Sequence, residues 1–385
     1  MRILTALTYY RPHTSGLTIY AERLARALVD RGHKVTILTM RYDRALPRDE
    51  TVDGVRTLRA PVVARISKGC FAPAFPLLAA RLLGDADVLH LHLPQFDAAA
   101  VALLARMYRV PTAITYHCDL EMPSGVMNKL AEAAIHILDN VAGALAQRVV
   151  TYTRDYGDNS PYLRRFGRKL DVILPPVAMP HASDEEVKQF REDHVPPGRR
   201  PIIAMAARFA AEKGVEVLLD ALPRILEVHP DACVLFAGPW RDVVGEGAYL
   251  ARLQPRIEKL AQDGHWRFLG VLDMPTMAAF YASIDLLVVP SLNSTESFGL
   301  VQIEAMFEGV PVVASDLPGV RHAVRSTGMG GIFPVGDAPR LADAACGILT
   351  RFRGPKLPRP DLVDEYEPGR AAERYLTLFR ALTQH

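Results

Sequence analysis

Two Rossmann-like α/β domains in tandem are what this sequence predicts, from three observations. At 385 residues the chain is too long for one ordinary domain. Short apolar runs alternate with helix-period segments twice over, the pattern of parallel sheets covered by helices. With 49% hydrophobic and 23% charged residues it can fill two cores, which excludes a disordered chain. No tandem repeat or low-complexity tract is visible, which argues against a solenoid.

The first run, residues 3–7, reads as a buried strand rather than a leader, because aromatic and basic residues follow it at once. Residues 19–30 then carry an amphipathic helix, and Arg31-Gly32-His33 turns the chain into a strand at 34–39. Further strands are expected at 88–93, 112–115 and 149–152. Residues 184–200 are charged and contain proline, with a helical piece at 184–192, and read as an interdomain connection. The second half repeats the alternation. Strands are predicted at 202–206, 233–237, 267–271, 286–289 and 310–314, and helices at 215–228, 249–261, 276–282, 300–307 and 341–349. A one-sided apolar helix closes the chain at 368–382. Ligand is expected at the C-terminal ends of the strands, in a cleft between the two domains.

Charge is uneven. Residues 1–178 hold 23 Lys+Arg against 16 Asp+Glu, a balance of +7, and the remainder holds 22 against 27, a balance of −5. A basic first half suits an anionic partner such as a lipid surface or a phosphorylated substrate, although a solvated surface explains the same count. Nothing resembles a nucleic-acid motif. The apolar segment at 71–84 is interrupted by proline and arginine, too soon to span a bilayer. Cys70, Cys118, Cys233 and Cys346 form no CxxC pair, and reduced thiols in a cytoplasmic protein are the plain reading.

Four stretches could carry chemistry. In Ser294-Thr295-Glu296-Ser297-Phe298-Gly299-Leu300-Val301-Gln302-Ile303-Glu304, a strand ends at Pro290, a small-residue turn follows, and a helix opens at Gly299. Free N–H groups at that helix start suit phosphate, and the two carboxylates suit sugar hydroxyls. The competing reading makes Glu296 a helix cap and Glu304 a solvated face residue. Arg208-Phe209-Ala210-Ala211-Glu212-Lys213-Gly214 also follows a strand and opens a helix, placing two cations beside a diphosphate. The competing reading pairs Lys213 with Glu212 or Glu216. The loop Tyr9–Gly16 offers Ser15 and Gly16 for backbone approach to phosphate, but it is not GxGxxG. Finally His90 and His92 share one strand face, and His117 ends another strand. His117 is the better ligand contact, with a hydrogen-bonded buried pair as the alternative for the other two. A metal site from His90, His92, His117 and Asp119 lacks recognisable ligand spacing, and no metal is expected.

These motifs together resemble a retaining, nucleotide-sugar-dependent glycosyltransferase of family 4, with the two-domain GT-B fold. The resemblance covers nearly the whole chain. Its most specific part is Glu296 and Glu304 set in an EX7E pattern, followed by Gly309-Val310-Pro311-Val312-Val313-Ala314. It implies an acceptor domain at 1–178, a donor domain at 179–360, and a terminal helix at 361–385 packing back toward the first domain. By the same resemblance, Arg208 and Lys213 hold the donor diphosphate and stabilise the leaving group. The amides of Phe298, Gly299 and Leu300 meet sugar and phosphate. Glu296 holds sugar hydroxyls, Glu304 the ribose, Gly16 the distal phosphate, and His117 the sugar near the reacting carbon. The chain departs from the family in having Ser15-Gly16 where Gly-Gly is frequent, and a longer approach, residues 291–295, to Glu296.

The expected reaction moves a sugar from a nucleoside diphosphate to an acceptor hydroxyl by same-face attack, with no cofactor and no metal. The acceptor is a glycolipid, polysaccharide or small glycoside, phosphorylated or lipid-linked, met at the inner face of an anionic membrane. A nonhydrolysing nucleotide-sugar epimerase and a non-catalytic sugar-nucleotide binder remain as alternatives.

Overall fold

The computed structural model describes residues 1–66, 69–122, 125–352 and 356–384. The chain divides into two compact units, Met1–Val177 with Tyr366–His385, and Ala178–Glu365.

The first unit opens with β1 (Arg2–Ala6), α1 (Gly16–Val29), β2 (Lys34–Arg41), β3 (Asp49–Val52) and β4 (Val55–Pro61). A small hairpin of β5 (Ala64–Ile66) and β6 (Gly69–Phe71) precedes α2 (Ala74–Leu83), β7 (Val88–Leu93), α3 (Ala98–Met107) and β8 (Thr112–Tyr116). Then come α4 (Val126–Leu145), β9 (Arg148–Thr151), α5 (Arg154–Asn159), α6 (Pro161–Arg165) and β10 (Leu170–Val172). The sheet runs β10-β9-β8-β7-β1-β2-β4-β3. Every pair is parallel except β3 with β4. Strand order reverses at β1, so the loops after β1 and β7 emerge side by side at the C-terminal edge, where α/β sheets place ligands. The C-terminal helix, Pro368–Thr383, belongs to this unit and packs on α1. Its Tyr375 hydroxyl meets Tyr20 at 2.7 Å and Thr115 at 2.6 Å, all buried.

The second unit holds α7 (Asp184–His194), β11 (Ile202–Ala206), α8 (Val215–Val228), β12 (Cys233–Ala237), α9 (Gly247–Gln262) and β13 (Trp266–Gly270). It continues through α10 (Met274–Ser283), β14 (Leu286–Val289), α11 (Leu300–Phe307), β15 (Val312–Ser315), α12 (Val320–Thr327), β16 (Gly330–Phe333) and α13 (Ala338–Arg351). Its sheet is wholly parallel, in the order β13-β12-β11-β14-β15-β16. The reversal here lies between β11 and β14.

Helices α2, α3, α4, α5, α6 and α12 and strand β16 lie outside the predicted elements, and two further regions differ from the sequence expectation for a local reason. Residues 184–194 are a helix of the second unit rather than a connector. Ser183 and Glu186 form a reciprocal capping box at its start, and Phe190 is buried with its ring against Phe280. The β3–β4 hairpin is absent from the predicted strands because its residues are mostly polar. Asp53-Gly54, both at positive φ, makes its two-residue turn, the conformation that matches the twist of paired strands.

Candidate functional site

In the second unit, the two loops flanking the β11/β14 reversal carry the predicted cations and carboxylates. Gly214 is the reason they meet. It adopts φ +70°, and a Cβ there would lie 2.0 Å from the Pro290 carbonyl oxygen, so only glycine lets the loop after β11 close against the end of β14. The Leu292 N–H then donates to the Glu212 carbonyl at 2.9 Å, fastening one loop to the other. Asn293 shapes the longer approach to Glu296. Its side-chain oxygen accepts from the Thr295 N–H and hydroxyl, and its carbonyl accepts from the Glu296 N–H.

The result brings Lys213 Nζ to 2.5 Å from Glu296 Oε2, both side chains partly exposed. Arg208 donates to Glu212 at 2.5 Å. Lys213 thus pairs across the sheet reversal instead of with its sequence neighbours Glu212 or Glu216. The left-handed turn at Gly214 separates it from Glu216, which engages Tyr249 and Arg252. Two ion pairs thus lie where the loops leave adjacent strands, Lys213–Glu296 between the loops and Arg208–Glu212 within one of them.

The helix α11 starts on Gly299, at φ +76°, with no side-chain cap. Glu296 therefore does not cap it, and the first amides of α11 have no side-chain acceptor from the cap residue. Phe298 is fully buried, so its polar contribution comes from the backbone. Glu304 is buried rather than solvated, and Tyr281 donates to its Oε2 at 3.0 Å. The sequence reading missed Gln302. Fully buried, its Nε2 donates to the Phe298 carbonyl at 2.7 Å and the Val320 carbonyl at 2.9 Å, fixing the entry into α11. A lone glutamine inside an apolar helix gives no sequence signal for that role.

In the first unit Ser15 caps α1, accepting from the Thr18 N–H at 3.2 Å, and Gly16 is the first helical residue. A Cβ on Gly16 would meet nothing within 4 Å, so neither its backbone nor its neighbours call for glycine.

His117, just past β8, is buried, as are His90 and His92 on β7. His92 Nδ1 is hydrogen-bonded to His117 Nε2 at 2.7 Å, and His117 Nδ1 meets the Tyr152 hydroxyl. His90 Nε2 meets Thr115 Oγ1 at 2.7 Å. Each histidine of β7 is thus bonded to a partner on or beside β8, and His90 is not bonded to His92. Burial pushes the His92 imidazole down to about 3. Burial and the neighbouring imidazoles hold His90 and His117 well below the usual range. All three are neutral at neutral pH. Asp119 is engaged separately, accepting from Tyr116 at 2.9 Å and Ser160 at 2.6 Å. Among the described residues no group of three or more His, Cys, Asp or Glu is placed to hold a metal ion.

A second polar cluster, unforeseen from the sequence, lies beyond the end of β7. Gln95, Asp97 and Asp139 are all buried, and the Gln95 N–H donates to Asp139 Oδ1 at 3.3 Å. Both atoms of the Gln95 side-chain amide and Asp97 Oδ2 lack partners. Burial raises the Asp97 carboxyl to about 6, and the Asp139 carboxyl to about 7 against the pull of that N–H. Unsatisfied buried groups of this kind cost stability and are kept where a ligand uses them.

Comparison with known proteins settles the family. Residues 186–350 match the model for glycosyl transferases group 1, and residues 15–176 match the glycosyl transferase 4-like domain. The chain belongs to the GT-B glycosyltransferases of the family 4 type. It is 29% identical over 363 residues to a phosphatidyl-myo-inositol mannosyltransferase of Mycolicibacterium smegmatis, across 91% of this chain and 85% of that protein. It is also 29% identical over 361 residues to a 2-deoxystreptamine N-acetyl-D-glucosaminyltransferase of Streptomyces fradiae, across 87% and 82%. The structure of HepE from Anabaena in complex with UDP superimposes with a TM-score of 0.77 at 18% identity, covering 99% of this chain and 100% of that one. The protein is therefore a glycosyltransferase.

Proposed function

We propose that this glycosyltransferase moves a hexose from a nucleoside diphosphate to a ring hydroxyl of a cyclitol-bearing, lipid-linked acceptor, with retention at the anomeric carbon. The observation that carries the donor half is the junction of Lys213, Glu296 and Arg208 with the uncapped start of α11. Departure of the diphosphate leaves negative charge on phosphate oxygen. Arg208, Lys213 and the amides of Phe298, Gly299 and Leu300 neutralise it, electrostatic work worth roughly 3–4 kcal/mol per well-placed donor. In this reading the side chains supply that charge, and no resident metal or cofactor is called for. Glu296, held by Lys213, accepts from sugar hydroxyls, and Glu304, oriented by Tyr281, accepts from the ribose. Gly16 and Ser15 meet the distal phosphate. His117 serves the sugar near the reacting carbon. Both of its ring nitrogens are engaged inside the first unit, so an imidazole contact exchanges Tyr152 or His92 for the sugar.

The UDP bound by HepE supports a nucleoside diphosphate donor. The two named relatives act on myo-inositol and 2-deoxystreptamine, both six-carbon ring polyols, which supports a cyclitol. The buried amide of Gln95 and Oδ2 of Asp97, both lacking partners, are suited to its hydroxyls. Retention follows from same-face attack, the departing phosphate taking the acceptor proton.

A thermal-shift screen of nucleoside diphosphate sugars, followed by transfer to inositol-containing acceptors and NMR of the product, tests the whole reading. A stabilising donor and a product with the donor's anomeric configuration are expected. An inverted product overturns same-face attack. Conversion of the donor without any acceptor points to an epimerase, and tight donor binding with no turnover points to a sensor.

A further inference from the structure

The turn that carries Lys213, Ala211–Lys213, has nothing of its own to close its start. The residue before it is Ala210, which offers no side-chain acceptor, so the turn's first amide must find one elsewhere. Loops from both neighbouring strands reach it. From beyond β14 the Leu292 N–H donates to the Glu212 carbonyl at 2.9 Å. From beyond β12 comes Glu246, whose Oε2 accepts from the Ala211 N–H at 3.1 Å.

Glu246 immediately precedes α9 but makes no side-chain cap bond to that helix. It is 7% exposed, and burying a carboxylate is costly unless hydrogen bonds replace its water. A buried acid turned from its own helix to the amide of another loop acts on that loop. The approach from β12 is fixed by close contacts. Gly238, at φ +129°, lets the chain pass where a Cβ would lie 2.1 Å from the Ala207 carbonyl oxygen. The Phe209 N–H donates to the Pro239 carbonyl at 2.8 Å, and the Gly238 N–H to the Gly270 carbonyl at 2.7 Å. Past Glu246, Tyr249 on α9 bonds to Glu216 in the first turn of α8. The chain is therefore tied to the β12 side before the cation turn and after it, and Glu246 holds the turn itself.

We propose that Glu246 is a positioning residue for the donor diphosphate: by holding the Ala211 amide it fixes the turn that presents Lys213 and, through Glu212, Arg208. The proposal rests on the donor site put forward above and adds the residue that keeps its cations in place. A carboxylate bonded to a backbone amide makes a charge-assisted hydrogen bond, about twice as strong as a neutral one. The turn is thus held from below while its side chains exchange Glu296 and Glu212 for phosphate oxygen. Glu246 itself touches no substrate and acts through Lys213 and Arg208.

The test is calorimetry of the full chain with UDP, GDP, ADP and dTDP, carried on with whichever binds wild type most tightly. Glu246→Met keeps the buried volume and removes the acceptor, and its Kd should rise by about tenfold or more, the worth of one well-placed charge-assisted bond. Glu246→Gln keeps an acceptor oxygen and should recover most of that loss. In a Lys213→Ala background the further loss from Glu246→Met should be several-fold smaller than in the otherwise wild-type chain, because the two act through one turn. Glu246→Asp, which withdraws the carboxylate by one methylene, replaces Glu246→Met if that variant does not fold, with the same expected direction. A lowered melting temperature with wild-type Kd in the folded protein makes Glu246 a residue of the fold alone and overturns the proposal. Equal losses in both backgrounds overturn it as well. Wild type that binds none of the four nucleotides, or Lys213→Ala that binds as wild type, overturns the donor site itself. A weakened Lys213→Ala beside an unaltered Glu246→Met overturns the positioning role and leaves the donor site standing.

Discussion

At the C-terminal sheet edge of the second unit the polar groups are charged, partly exposed and paired across two loops. At the same edge of the first unit they are buried, and its histidines are neutral. The contrast is visible in two residues predicted to serve one donor. Lys213 reaches across a strand reversal to Glu296, whereas His117 is enclosed between His92 and Tyr152. In the function proposed above, the first arrangement is suited to charge that develops on phosphate, and the second to positioning hydroxyl-bearing groups without bringing charge into a low-dielectric site. The difference teaches that sharing a fold does not make the two edges chemically interchangeable.

The comparison is broken most directly at the charged edge. Lys213→Ala and Glu296→Ala should each lower kcat by roughly 10²–10³-fold with the fold intact. Because the two side chains hold each other, the double variant should cost little more than either single one. Steady-state kinetics on all three proteins checks this, and fully additive losses would mean the residues act independently.

Glycine provides the next contrast. Gly214→Ala forces its Cβ into the Pro290 carbonyl and should destabilise the protein by about 2–4 kcal/mol, read as a lowered melting temperature. Gly16→Ala meets nothing and should leave the melting temperature unchanged while weakening donor binding. A fall in stability at Gly16 with donor affinity unaltered would remove it from the phosphate site.

The buried edge is sharpened by pH. Folding depresses His90, His92 and His117 below the ordinary imidazole value of 6.5, to about 3 for His92. Below 6.5 the unfolded chain binds protons that the folded chain does not. Their contribution is therefore complete above that pH and is lost as pH falls toward about 3, so the melting temperature should decline through this window. His92→Phe should flatten the decline. Asp139 has the opposite sign, because burial raises its carboxyl to about 7, above the ordinary carboxylate value of 3.8. Its contribution is present below 3.8 and is lost as pH rises through about 7. Asp139→Asn should consequently raise the melting temperature at pH 8, by roughly 1–3 kcal/mol of stability, and change little at pH 4. A variant equally affected at both pH values would show that ionisation of Asp139 is not the cause.

The smallest effect is expected from Gln302→Leu. It leaves the Phe298 and Val320 carbonyls without their side-chain donor, costing about 1–3 kcal/mol. Relaxed entry into α11 should also raise KM for the donor more than it lowers kcat.

Much of the second unit was legible because its strands are buried on both faces and its helices on one. Residues 202–206, 215–228, 233–237, 286–289 and 300–307 match the observed elements end for end. The helices α2 and α3 were not legible as helices because residues 74–83 and 98–107 are almost continuously apolar, which blurs the helical period. Residues 126–145 carry a helical period as marked as that of α1 and lie outside the sequence assignment all the same.

The sequence by itself determined the doubled α/β architecture, since alternation of apolar runs with helical periods is a local property, and it placed Arg208, Lys213, Glu296 and Glu304 beside strand ends. Tertiary structure decided which of them touch. Lys213 and Glu296 are far apart along the chain and become neighbours because β11 and β14 pair at the sheet reversal and Gly214 permits the loops to close. It also decided that Glu304 is buried on Tyr281 and that three buried, neutral histidines lie together, His92 bonded to His117 and His90 to Thr115. Contacts of that separation depend on strand order, which no local pattern of residues encodes.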